Sequence, residues 1–287
     1  MKKLISRLFI AITVFTIYSC GNTTSSKKVT IAYVNWAEGV AMTQLSKALL
    51  EKEGYTVELK NADVAPVFAA VAGGDADIFL DTWMPVTHKE YMDKFGGRLE
   101  VLGTNFQNAR IGFVVPEYVD INSIEELNAK AALFQGKIVG IDAGAGVMSK
   151  AETAIKDYGL KLELQSASEA AMLATLKKSI DAKEPVVVTG WSPHYMFSNY
   201  KLKFLNDPKK VFGDVETIQT VANKQFVAAN PQVAEFFRNF QLDDLQLGSL
   251  MAALADGGDE KAAVDKWIAD NAEFTTNLSS FLKTEAK

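Results

Sequence analysis

Short β-branched, apolar runs alternate with amphipathic helical stretches along nearly all of this chain, and no other feature narrows the choice of fold as much. VTIAYV (29–34) reads as a buried strand. In AMTQLSKALLEKEG (41–54), Met42, Leu45 and Leu49 recur on one helical face and Gly54 suits a C-terminal cap. YTVELK, the helical VAPVFAAVAGG and the strand DIFLDTW complete a βαβαβ series. A second series begins after RIGFVVP. It comprises KIVGID (137–142), a glycine-rich turn, the helix VMSKAETAIKDYG, LELQS, a further helix and VVVTGW, with Ser166 and Glu169 expected to form a capping box at that further helix. Alternation of this kind implies parallel sheets covered by helices. From about residue 214 the chain returns to helices such as AEFFRNF and AAVDKWIADN. The order fits two α/β lobes joined by a double crossover, with lobe I over 28–113 and 214–287 and lobe II over 114–213.

The first nineteen residues stand apart from that globule. Lys2, Lys3 and Arg7 precede an apolar run from Leu8 to Tyr18, too short to span a bilayer as a mature helix, so residues 1–19 read as an export signal. The signal leads into Ile17-Tyr18-Ser19-Cys20-Gly21, similar to a bacterial lipobox with a bulkier Tyr18, and Cys20 is the expected lipidated N-terminus. The competing reading is a general secretory signal with an incidental cysteine. Cys20 is the only cysteine, so no disulfide can form within the chain. GNTTSSKK then completes a polar tether over 20–28. Loss of residues 1–19 removes three basic and no acidic side chains and takes the net charge from −5 to about −8, which argues against nucleic acid as a partner.

DIFLDTWMPVTH (77–88) and VVVTGWSPH (186–194) share an outline: an apolar strand, Thr, Trp, Pro and then one of the two histidines in the chain. Trp36, Trp83 and Trp191 each follow a strand, and in open α/β sheets the binding crevice lies at strand carboxyl ends. Trp267, the fourth, sits at helical spacing in AAVDKWIADN and is assigned to packing. Indole faces carry negative potential, so three of them suit a cation with no N–H to satisfy, such as a quaternary ammonium. Sugar stacking is the competitor, but the flanking segments are poor in Asn, Arg and Gln. The turn DAGAGVM (142–148) supplies the opposite chemistry: Gly144 and Gly146 let the N–H groups of a helix starting near Val147 face the crevice as an anion site. Together the two features suggest a zwitterion, with its carboxylate held by amides and a histidine. Catalytic readings find little support. There is no H-E-x-x-H or C-x-x-C spacing for a metal, no G-x-S-x-G elbow and no P-loop. An adhesive lipoprotein explains the signal but not the paired tryptophans.

VNWAEG, GDADIFLDTWMPVTH, GIDAGAGVM, SASEAAMLATLKKS, VVVTGWSPHYMF and YKLKFLNDPKKVFG resemble the glycine betaine and related quaternary-amine binding proteins of ABC importers, over essentially the whole chain after the tether. The resemblance implies a type II-like, two-lobed periplasmic-binding-protein fold that encloses its ligand between the lobes. It implies an aromatic cage of Trp36, Trp83 and Trp191, and a carboxylate site of His88 with the Gly146 and Val147 amides. Choline-binding relatives place an acid two positions after the first tryptophan, where Glu38 stands here. Asp81 is expected to orient Trp83 or to bond a loop amide, and His194 to support Trp191, with ligand contact or a backbone bond in its own lobe as the alternatives; these three are assigned behind the ligand-contacting set. The implied protein is a monomeric receptor and not an enzyme. It needs no cofactor or metal, and hands a quaternary amine to a permease and ATPase for osmoprotective uptake from the extracytoplasmic (periplasmic) face, where its lipid holds it to the membrane. Glycine betaine, proline betaine, carnitine and choline stay unranked at this level.

Overall fold

The computed structural model describes residues 27–255 and 257–283. The export signal, Cys20 and all but the end of the tether lie outside the described residues.

The strands are β1 (Lys28–Tyr33), β2 (Thr56–Asn61), β3 (Ile78–Met84), β4 (Leu99–Pro116), β5 (Lys137–Val139), β6 (Glu163–Gln165), β7 (Val188–Ser192), β8 (Leu202–Phe204) and β9 (Glu216–Asn223). They form a sheet in the order β2-β1-β3-β9-β4-β7-β5-β6, with β8 also on β4. The pairs of β1 with β2 and β3, and of β5 with β6 and β7, are parallel as expected. The sheet as a whole is not. β4 and β9 run antiparallel to every partner, so the expected parallel architecture is corrected to a mixed one. The reason is that β4 serves two sets of neighbours. Its first part, Leu99 to Ala109, pairs with β9, and its second part, Arg110 to Pro116, pairs with β7 and β8. Three register shifts against β9 bend it on the way, as bulges do. Only its apolar end, RIGFVVP, was legible as a strand, because Gly103, Asn105, Gln107 and Asn108 break the pattern upstream.

Helices cover both halves. Around β1 to β3 and β9 lie α1 (Ala37–Lys52), α2 (Val64–Gly73) and α3 (Lys89–Phe95); α4 (Gly146–Tyr158), α5 (Glu169–Ala182) and the short α6 (Met196–Asn199) belong to the other half. After β9 come α7 (Lys224–Ala229), α8 (Pro231–Arg238), α9 (Asp244–Ala255), α10 (Glu260–Asp270) and α11 (Ala272–Ser280). Met42, Leu45 and Leu49 are buried on the inner face of α1, and Gly54 takes a left-handed φ of +83° just beyond its end, as the helical periodicity required. The capping box does not form as expected. Ser168, not Ser166, caps α5 by accepting from Ala171 N, and Glu169 turns its carboxylate away from the helix end. The described helices include none long and apolar enough to cross a membrane.

Candidate functional site

Three tryptophans from three separate elements meet at the gap between the halves. Trp36 is the extended residue that opens α1, Trp83 lies one residue before the end of β3, and Trp191 holds the same place in β7. Each is buried to within 5% exposure. With Glu38, Thr87, His88, Ile111, Ile141, Ala145, Gly146 and Val147 they line one small, tightly closed cavity. All six residues expected to contact a ligand therefore share that cavity. Trp267 is elsewhere, buried in α10 with its ring edge against Phe274 and its Nε1–H on Ser249 Oγ.

Two of the indoles are fixed by carboxylates. Trp83 Nε1 donates to Asp81 Oδ1 at 2.8 Å, and Trp191 Nε1 donates to Glu38 Oε2 at 2.8 Å. Asp81 thus orients Trp83, the first of its two sequence alternatives. Glu38 both anchors Trp191 and lines the cavity. Burial pushes both acids up. Asp81 is raised to about 7, and Glu38 goes well above the usual carboxylate range, with Asp81 and Glu169 adding like-charge repulsion. The other oxygen of Asp81 lies against the first turn of α1, where a Cβ on Gly39 would come within 2.6 Å of it. Only glycine fits there without displacing the acid.

The cavity's other end carries donors. His88 Nδ1 accepts from Trp83 N at 3.0 Å, which leaves the ring proton on Nε2, and Nε2 has no partner among the described residues. Burial lowers the His88 pKa to about 3, so the ring is a neutral donor at any ordinary pH. The ring stacks on Trp36 at 5.9 Å. Gly146 and Val147 are the first two residues of α4, whose N–H groups have no acceptor within the helix. Gly146 is required by close approach: a Cβ would stand 2.3 Å from Thr87 O, across the gap. An anion placed here faces three N–H donors and the positive end of a helix.

The twin motif repeats its backbone but not its chemistry. The bond into proline is cis in both copies, at Met84–Pro85 and Ser192–Pro193. His194, like His88, accepts a backbone N–H at Nδ1, here from Met196. Its Nε2–H, however, is taken by Glu169 Oε1 at 3.0 Å, and its ring stands edge-on to Trp191 at 4.8 Å. His194 lies behind Trp191, off the cavity wall.

Several participants escaped sequence reasoning. Thr87, Ile111, Ile141 and Ala145 complete the wall. Glu216, buried at the start of β9, accepts from Val86 N, Thr87 N and Thr87 Oγ1, and so holds the turn that aims His88. Its partners lie about 130 residues away in the chain, and no local signal announces such a contact. A wider groove between α1, α10 and α11 offers no converging groups, because Lys47 pairs with Glu51 and Lys261 with Asp265 along their own helices.

Residues 27–270 match the family described as the substrate binding domain of ABC-type glycine betaine transport systems. A curated relative, the glycine betaine/carnitine transport binding protein GbuC of Listeria monocytogenes, is 44% identical over 137 residues, 47% of this chain; the match spans only 46% of that relative's length. Among solved structures, lactococcal OpuAC, closed on glycine betaine, is 33% identical with a TM-score of 0.83, covering 89% of this chain and 99% of its own. The glycine betaine/L-proline-binding protein ProX of Borrelia burgdorferi is 32% identical with a TM-score of 0.84, over 89% of this chain and 100% of its own. These structures share the two-lobed periplasmic-binding-protein fold seen here. The matched family supplies transporters with their substrate-binding component and is not a family of enzymes. With more than four-fifths of its length matched, the chain belongs to the substrate-binding-domain family of ABC-type glycine betaine transport systems.

Proposed function

We propose that this protein captures glycine betaine, or a close quaternary amine, between its lobes and delivers it to an ABC permease and ATPase. One observation carries the reading: three buried indoles, the unpartnered His88 Nε2–H and the first two residues of α4, Gly146 and Val147, line one small cavity. A trimethylammonium group has no N–H to satisfy and gains up to about 2 kcal/mol from each desolvated indole face. The carboxylate of the same molecule suits His88 Nε2–H with the amides of Gly146 and Val147. A pure cation such as choline is the second reading, favoured by the Glu38 carboxylate on the wall. The unpartnered donors weigh toward the zwitterion, because a cation leaves them buried and unpaired.

In the same reading, residues 28–113 with 214–287 form one lobe and 114–213 the other, closing on the ligand and presenting a joint surface to the permease. Cys20 carries a lipid that holds a monomer at the extracytoplasmic face of a membrane, and fractionation of the processed chain into the soluble phase would contradict that part. The cage is tested by substitution. Trp36→Ala, Trp83→Ala and Trp191→Ala should each weaken binding more than about tenfold, with Phe restoring part of the loss. Trp267→Ala should leave affinity nearly unchanged. Equal effects at all four positions would place the cage wrongly.

A further inference from the structure

The carboxylate of Glu169 serves both halves of the molecule at once. It projects from the first turn of α5, and Oε2 accepts from Ala37 N, in the first turn of α1, at 3.2 Å. Oε1 accepts from His194 Nε2 at 3.0 Å. His194 stands edge-on to Trp191, and Trp191 donates back across the gap to Glu38, the residue after Ala37. Glu169, His194, Trp191, Glu38 and Ala37 thus form a closed circuit that crosses between the halves twice. The bonds of Glu169 to His194 and of Trp191 to Glu38 are buried and that of Ala37 to Glu169 is part-buried, with the Glu169 side chain 8% exposed.

We propose that Glu169 is a positioning residue that latches the closed state, so that closing the lobes and completing the cage behind Trp191 are one event. Opening must break both crossings together. A buried carboxylate left with only one of its donors is poorly compensated, so half-open arrangements are disfavoured. Glu169 does not line the ligand cavity, and its effect falls on how long a ligand stays rather than on which ligand is chosen. The choice of probe ligands rests on the function proposed above.

The test follows tryptophan fluorescence by stopped flow on the full processed chain with glycine betaine and with choline. Glu169→Ala should raise the dissociation rate at least about tenfold, by the same factor for both ligands, with association changed less than about threefold. Ala37→Pro is the companion. Proline suits the first helical position, and Trp36 before it is already extended at φ −106°, ψ 144°, so the substitution removes the donor while sparing the helix. It should raise dissociation in the same direction and add little to Glu169→Ala in the double variant. Should Glu169→Ala fail to fold, Ala37→Pro alone decides. Dissociation rates within about twofold of the wild type in every folded variant would overturn the latch, and so would a loss confined to one ligand. A wild type that responds to neither ligand would instead refute the proposed function.

Discussion

His88 and His194 both accept a backbone N–H at Nδ1, so each ring holds its proton on Nε2, and they differ in what that proton meets. The His194 proton is consumed by Glu169, whereas that of His88 faces the cavity unpaired. His88→Ala should therefore cost a zwitterion a charge-assisted bond of roughly 1.5 to 3 kcal/mol while sparing choline, which has no carboxylate. His194→Ala should weaken both ligands by a similar factor. Calorimetric titration of the two variants with both ligands checks the pair, and a betaine-selective loss at His194 would reverse the assignment. Binding should also depend on pH, but not through His88, whose pKa of about 3 keeps it neutral throughout. Asp81, behind Trp83 and raised to about 7 by burial, gains a proton in the ligand-free protein as pH falls below that value. A trimethylammonium nearby favours the ionised acid, so binding expels protons and affinity rises with pH from about 6 to 8. Choline, which brings no carboxylate of its own, should show the steepest rise. Asp81→Asn should remove part of that slope, with Glu38 on the cavity wall carrying the rest, and His88→Ala should leave it, as titrations at several pH values will read.

At the scale of elements, the start of α4 does most to define the anion end. Gly146 permits an approach to Thr87 O that a Cβ would block at 2.3 Å. Alanine favours the helix itself, so Gly146→Ala should leave the thermal melt almost unmoved yet weaken betaine at least about tenfold by holding the lobes apart. Retained affinity would show that the gap closes by another route. A glycine-rich turn between a strand and a helix is commonly no more than a turn, so this one became readable only beside the tryptophans, and the cage was readable because indoles are rare and recur at strand ends. What it concealed lies in contacts distant along the chain. Ser166 and Glu169 have the spacing of a capping box, but Glu169 finds His194 and Ala37 while Ser168 caps the helix instead. Likewise Glu216 reads as an ordinary strand residue until the fold brings Val86 and Thr87 to it. The mixed sheet was hidden for a related reason. Strand direction depends on which neighbours β4 meets in each half, and hydrophobic alternation carries no sign of direction.

For the molecule as a whole, the long strand β4 and the return from β8 to β9 tie the halves together, and the cavity has walls drawn from both. The proposed cage and anion site are each incomplete in one half: Trp36, Trp83 and His88 come from elements preceding β4, and Gly146, Val147 and Trp191 from elements following it. In the proposed function binding and closure are therefore linked, since a ligand gains its full set of partners only when the halves meet. The most direct test of this arrangement is calorimetric titration of the processed chain with glycine betaine and, in parallel, with glycine. The two share a carboxylate and differ in whether the cation carries methyl groups or N–H donors that the indole faces cannot satisfy. Saturable binding of one betaine per chain, with glycine weaker by at least about a hundredfold, is the expected result. Equal affinities, or no heat with betaine, would contradict it.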